Sequence, residues 1–259
     1  MRVHILGSGT SSGVPVIGCH CSVCKSSNPK NHRTRASIAL SHAGRTLMID
    51  TSPEMRLQVL RAKLETIDGV LYSHMHADHT AGFDDLRGFY FKSRRALDVY
   101  LLPEYFSDLI TRFRYAFEDT GYYGVTPQVT LHAIPDEPFH FAGFAVDPVR
   151  LMHGNVPSCG FRFGRFAYVT DFKIFPKAKI AEWKGKIDVM VASGIHFGTH
   201  PTHSVIPETL QLFDDLGVKR GIVSHLAHDV DYVEHAALLP DFVEYAFDGM
   251  TIDLEAFIS

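Results

Sequence analysis

The chain has 259 residues, 46% of them apolar, with a formal charge of −4 and a mean hydropathy near zero. That length buries a full core, and the slight acidity excludes a polybasic coat for nucleic acid or anionic lipid, either of which needs an excess of Lys and Arg. No run of about eighteen apolar residues is present to span a bilayer, and the start, MRVHILGSGTSSG, enters a strand-like run without a basic or apolar leader, which predicts a cytoplasmic protein.

Short β-type runs are expected at Arg2–Leu6, Ala36–Leu40 and Thr46–Asp50, with the Gly/Ser stretch Gly7–Gly13 as a loop. Pro53 opens an expected helix to about Lys63, and Gly69–Tyr72 reads as a compact buried strand ending in Ser73. The segment from Phe83 to Tyr123, rich in Phe, Tyr and Arg, is expected to be mostly helical. Strands follow at Val129–Ala133, Phe144–Leu151, Gly160–Gly164 and Phe166–Thr170. Lys186–Val191 and Lys219–Ser224 read as further buried strands, with a helix between them from Ser204–Pro207 to about Leu216. Strands first and β/α alternation later, with no repeat or linker, predict one α/β (α+β) domain over 1–259. Its sheets would pack face to face with helices outside.

The chemistry concentrates in Tyr72-Ser73-His74-Met75-His76-Ala77-Asp78-His79. An apolar strand there delivers three imidazoles and a carboxylate within six residues, a donor set that suits Zn, Mn or Fe. Alternate residues of an extended segment point the same way, so His74 and His76 reach one ion. Asp78 and His79, after a turn, reach a second. Further donors sit at the ends of other strand-like runs: His153 after Val146–Met152, Asp171 after Phe166–Thr170, and His225 after Gly221–Ser224. Each alone reads as a loop or capping residue; their repetition at strand ends points to one shared edge.

A second cluster, Gly18-Cys19-His20-Cys21-Ser22-Val23-Cys24, offers three thiols as C-x-C-x-x-C. Soft thiolates plus one further ligand close a tetrahedral structural zinc, and no thioredoxin-like βαβ setting supports a redox pair. His228, three residues beyond His225, is the expected fourth ligand. Cys159, between Ser158 and Gly160, reads as a buried core thiol.

Taken together, Asp50, HMHADH, His153, Asp171 and His225 resemble the five ordered motifs of the metallo-β-lactamase superfamily over nearly the whole chain. The resemblance implies a four-layer αββα sandwich with two divalent metal ions, Zn or Mn, at the edge between the sheets. His74, His76 and His153 would hold one ion; Asp78, His79 and His225 would hold the other, and Asp171 would bridge them. Asp50 would orient the histidine loop, as metal-bound histidines require. Paired ions of this kind lower the pKa of a shared water, so attack by a metal-bridging hydroxide is expected. His203, in Thr199-His200-Pro201-Thr202-His203-Ser204 before the expected helix, is the candidate donor to the leaving group, whereas His196 and His200 read as exposed loop histidines.

The start Gly7-Ser8-Gly9-Thr10 through Gly13-Val14-Pro15 to the cysteines is similar to the PhnP-type phosphodiesterases, as are His225-x-x-His228 and Phe247-Asp248-Gly249-Met250. Those enzymes hydrolyse a phosphoribosyl cyclic phosphate and carry a structural zinc besides two catalytic metals. A small cyclic or nucleotide-like phosphodiester is therefore the implied substrate. The alternatives are another hydrolytic class (tRNA 3′ processing, a thioester or a lactone) and a non-catalytic carrier resembling the pyrroloquinoline quinone biosynthesis B proteins. The intact ligand set speaks against the carrier, and the lack of a Gly/Pro-rich arm against the RNA substrate. No membrane partner is expected. A homodimer, common among relatives, is left open by the sequence. The cations and aromatics of residues 83–123, including Arg112 to Tyr115 and Tyr122-Tyr123, read either as a substrate lid or as amphipathic helices with a solvated basic face.

Overall fold

The computed structural model describes residues 1–118 and 125–254. The first sheet contains β1 (Arg2–Gly7), β2 (Ser37–His42), β3 (Arg45–Ile49), β4 (Gly69–Leu71), β5 (Leu97–Leu101) and β6 (Val129–Ala133). The second contains β7 (Phe139–Phe141), β8 (Phe144–His153), β9 (Val156–Phe163), β10 (Phe166–Val169), β11 (Val189–Ser193), β12 (Arg220–Ser224) and β13 (Val243–Tyr245). A last strand, β14 (Thr251–Asp253), returns to the first sheet. The orders are β14-β1-β2-β3-β4-β5-β6 and β13-β12-β11-β10-β9-β8-β7. Tight hairpins join β2 to β3 through Ala43-Gly44 and β7 to β8 through Ala142-Gly143, with all four residues at positive φ as two-residue turns require.

Period-two alternation decides which side chains go where. Leu47 and Ile49 of β3, with Val189 and Val191 of β11, enter the core between the sheets; Phe161, Phe163 and Tyr168 complete it. The intervening Met48 faces outward into a layer with Met55 and Leu109, which belong to α1 (Met55–Ala62) and, further along the chain, α4 (Phe106–Arg112). Between them lie α2 (Ala77–Thr80) and α3 (Arg87–Ser93). On the other flank Met190 and Ala192 pack under Trp183 of α5 (Lys177–Trp183) and Phe213 of α6 (Ile206–Leu216). The result is the metallo-β-lactamase sandwich, helices–sheet–sheet–helices. The start of α6 is fixed by the Glu208 carboxylate accepting the Val205 N–H at 3.0 Å, and its end by Gly217 at φ 70°. Among the described residues no helix is long and apolar enough to cross a membrane.

Residues 83–118 hold one element that the sequence did not predict. They are mostly helical, as expected, but β5 interrupts the helices: it runs between α3 and α4 and pairs in parallel with β4 and β6. Leu97, Val99 and Leu101 are buried while Asp98 is exposed, so the strand period was present in five residues hidden between helix formers. Pairing on both sides, rather than local propensity, decides its conformation. Tyr122 and Tyr123 lie outside the described residues. The short elements β7, β13, β14 and α5 also went unread, because three- to seven-residue runs carry little periodic signal.

Candidate metal centre

Five strands end on one site. β3 and β4 run parallel, and Asp50 and His74 follow their carboxyl ends. In the second sheet β10, β11 and β12 are parallel, and β8 shares their direction through two antiparallel pairings with β9. His153, Asp171 and His225 therefore emerge from the same edge. Asp50, Asp171 and His225 are non-glycine residues in the left-handed region, at φ 64°, 49° and 57°. That conformation costs about 1–3 kcal/mol each, and Asp tolerates it better than most; here it ends each strand just before the side chain enters the site.

The hydrogen bonds fix which ring nitrogens face inward. Asp50 is fully buried and accepts from Ser73 N–H and Ser73 Oγ–H at 2.7 Å each, and from His79 Nδ1 at 2.7 Å. Ser73 Oγ, having donated to Asp50, accepts from His74 Nδ1 at 3.0 Å. His153 Nδ1 donates to the Thr202 carbonyl at 2.9 Å. In all three rings the partner at Nδ1 turns Nε2 inward as the atom available to a metal. Burial pushes the Asp50 carboxyl up, and the contacts with His79 and Ser73 oppose that.

The donors gather in overlapping groups whose ligand atoms all lie within 4.8 Å of one another: His74, His76 and His153; Asp78, His79 and His225; and His74, His79 and Asp171. His79 Nε2 is 3.2 Å from oxygens of both Asp78 and Asp171, and His225 Nε2 is 3.4 Å from Asp171. Yet the buried nitrogens His74 Nε2, His79 Nε2 and both of His225 have no hydrogen-bond partner. Burial raises the Asp171 carboxyl, but the imidazoles of His225 and His79 outweigh it and hold the group well below its usual range. An unpaired buried polar atom costs about 1–3 kcal/mol. Buried imidazole nitrogens and carboxylate oxygens crowded this closely form a seat for cations, and this set of nitrogen and oxygen donors fits divalent metal ions.

His203 is placed at the rim. Its ring lies 4.1 Å from that of His153 and 5.0 Å from that of His225 (centroid to centroid), and its Nδ1 is 3.4 Å from Asp171. Burial pushes its imidazole down to about 3, with Asp171 only partly opposing it, so the resting ring is neutral. His203 also shares a ligand-sized group with His153 and Asp171. His200 is not the exposed loop histidine expected: it is half-buried, and its Nδ1 accepts the backbone N–H of His203 at 3.1 Å, which holds the His203 loop. His196 likewise pairs through Nδ1 with Asp229 at 3.1 Å. Two further site residues, Ser73 and Thr202, escaped the sequence reading, since a serine before a histidine and a backbone carbonyl 49 residues from His153 leave no pattern in sequence.

Cys19, Cys21, Cys24 and His228 form a separate group, again with all ligand atoms within 4.8 Å, and all three thiols are free. His228 Nδ1 is 3.3 Å from Cys19 Sγ and 3.4 Å from Cys21 Sγ. The Cys24 N–H and the His228 ring bring the Cys21 thiol down to about 6, whereas burial pushes Cys24 up to about 11. Three sulfurs and one imidazole suit a tetrahedral ion such as zinc. Cys159 stands apart in the core, and burial raises its thiol to about 12.

A family model described as a β-lactamase superfamily domain matches residues 45–226, more than half of the chain. The chain belongs to the β-lactamase superfamily. A crystal structure of a diphosphatase from the PhnP family is 33% identical, superposes with a TM-score of 0.90 and is covered over 97% of each chain. Zinc-bound PqqB from Methylobacterium extorquens shares the fold at 20% identity, with a TM-score of 0.80 over 98% of this chain and all of that one. A protein of Porphyromonas gingivalis named an octanoyltransferase is 36% identical over 254 residues, which is 96% of this chain and 51% of that protein. The chain thus spans about half the length of that relative.

Proposed function

We propose that this β-lactamase-superfamily hydrolase is a dinuclear metal-dependent phosphodiesterase acting on a small cyclic or nucleotide-like phosphodiester, with phosphoribosyl 1,2-cyclic phosphate as the first compound to test. The observation that carries the reading is the convergence of partnerless imidazole nitrogens on ionised Asp171. His74, His76 and His153 would hold one Zn or Mn ion, Asp78, His79 and His225 the second, and Asp171 reaches both groups. Divalent ions bound there supply an acidified water and offset charge on the phosphoryl oxygens. The chain's own residues do the rest. Asp50 and Ser73 hold the imidazoles in the ligand tautomer. His203, neutral and at the rim, donates a hydrogen bond to the leaving oxygen, and His200 fixes the backbone of its loop. The cysteine group with His228 would hold a structural zinc, and the PhnP-family structure, a diphosphatase at 33% identity, supports phosphate chemistry.

One observation favours a second reading, hydrolysis of an acyl ester or thioester: the similar Porphyromonas gingivalis protein is named for octanoyl transfer. This chain corresponds to only half of that protein, so the name need not belong to the matching half. The two readings separate in one assay, turnover of bis(p-nitrophenyl) phosphate with and without Mn or Zn, beside an acyl thioester and a lactone. Metal-dependent cleavage of the phosphodiester, abolished by Asp171→Asn, is expected. Turnover of the thioester or lactone alone would replace the substrate class, and silence on all three in metal-loaded protein would favour a carrier.

A further inference from the structure

We infer that Arg112, on α4, is a positioning residue for the histidine loop, setting the His74–His76 pair for its ion rather than contacting substrate. The inference rests on the metal-binding reading of that loop. Arg112 Nη1 donates to the Met75 carbonyl at 2.5 Å, and Met75 is the residue between the two histidines. The other face of the guanidinium is held by Asp108 one turn earlier on the same helix, with Nε and Nη2 at 2.9 and 2.8 Å from its two oxygens. A fork clamped on one carboxylate is pre-oriented, so the bond to Met75 O forms with little further loss of freedom.

Both ends of this link are anchored. The next residue, Phe113, stacks on buried Phe83 at 4.5 Å between centroids, which fixes the end of α4. On the loop side the Met75 side chain is buried in the outer layer of the first sheet. The neighbouring carbonyls are also held: Ser73 O accepts from Cys159 N at 2.8 Å, and His76 O from His79 N at 3.1 Å and Thr80 Oγ at 3.0 Å. The Met75 carbonyl is held by a charged side chain reaching in from the segment otherwise readable as a lid. With its charge matched by Asp108, Arg112 is poorly disposed to bind a phosphate. Outer partners of this kind commonly change metal affinity by about 10–100-fold.

The test uses the full chain with the cysteine-held metal retained and the histidine-site ions removed by a mild chelator. Zn²⁺ alone is then titrated against a chromophoric competitor for the parent, Arg112→Met and Arg112→Lys. The expected result is a Kd raised about tenfold or more in Arg112→Met, partly restored in Arg112→Lys, with the melting temperature of the metal-depleted protein unchanged. At saturating Zn²⁺, KM for bis(p-nitrophenyl) phosphate should stay at the parent value. Parental affinity in Arg112→Met overturns the inference, as does a raised KM at unchanged affinity, which would make Arg112 a substrate contact. Loss of affinity together with a lowered melting temperature in both variants overturns it too and assigns the residue to the fold. A parent that takes no ion beyond the cysteine-held one contradicts both this inference and the metal reading. A parent that binds its ions but leaves the phosphodiester intact defeats the proposed function alone.

Discussion

The Asp50 carboxylate lies 2.7 Å from Nδ1 of His79, and neither side chain has exposed surface. The same carboxylate takes both donors of Ser73, whose hydroxyl in turn holds His74. One buried group thus sets the tautomer of two rings that belong to different ligand groups. Asp50→Ala is expected to weaken binding at both, by about 10–100-fold, because His79 loses its outer partner and the Ser73 hydroxyl that holds His74 loses its anchor. Titration of metal-depleted protein with Zn²⁺ checks this; parental affinity would remove Asp50 from the site.

The proposed role of His203 as donor to the leaving oxygen makes its effect depend on the leaving group. His203→Ala is expected to cost about 10²–10⁴-fold in kcat on a poor leaving group such as an alkyl alcohol. The loss should be far smaller with p-nitrophenolate. Equal losses on the two substrates would contradict the role.

Cys21→Ser should lower the metal content by one ion per chain and reduce the melting temperature, since a hydroxyl is a poor replacement for a thiolate in a tetrahedral sulfur site. The histidine-site ions should remain. Unchanged stoichiometry by elemental analysis would reject the cysteine-held metal.

Away from both clusters, Asp188 predicts a pH dependence of stability. It is buried between Arg165 and Lys219, at 2.6 Å from Arg165 Nη2 and 3.0 Å from Lys219 Nζ. The hydrogen bond from Arg165 is the main cause that holds its carboxyl down to about 2. An unfolded aspartate titrates near ~3.9. A folded pKa below the unfolded one gives stability that is complete above about pH 4 and lost as pH falls through about 2. Asp188→Asn should therefore be less stable at pH 7 and lose less between pH 5 and 2 than the parent. Denaturant melts at both pH values decide it; parallel losses in the two proteins would refute the assignment.

Much of the site could be read in sequence because its residues sit where strands end. An apolar run followed directly by His74, by Asp171 or by His225 is a local pattern, and the topology merely brings the ends to one edge. The sandwich was legible for the same reason, from buried strands that alternate with helices late in the chain. What could not be read depends on contacts across the fold. Ser73 and Thr202 act through Asp50 and His153, and the role of Arg112 depends on α4 lying over the histidine loop. β5 was missed inside an otherwise helical segment because five alternating residues between helix formers gain their meaning only from pairing on both sides. His200 looked like a surface histidine because its partners are backbone amides, which no side-chain pattern reports.

On the proposed function, the histidine edge holds two divalent ions that make the chain a phosphodiesterase. The most direct test is elemental analysis of purified protein alongside turnover of bis(p-nitrophenyl) phosphate, before and after removal of the histidine-site ions and after Mn or Zn is restored. Three ions per chain are expected, two of them removable by mild chelation, with turnover lost and regained in step with those two. Turnover that persists after the two are removed, or a protein that holds only the cysteine-bound ion, would contradict it.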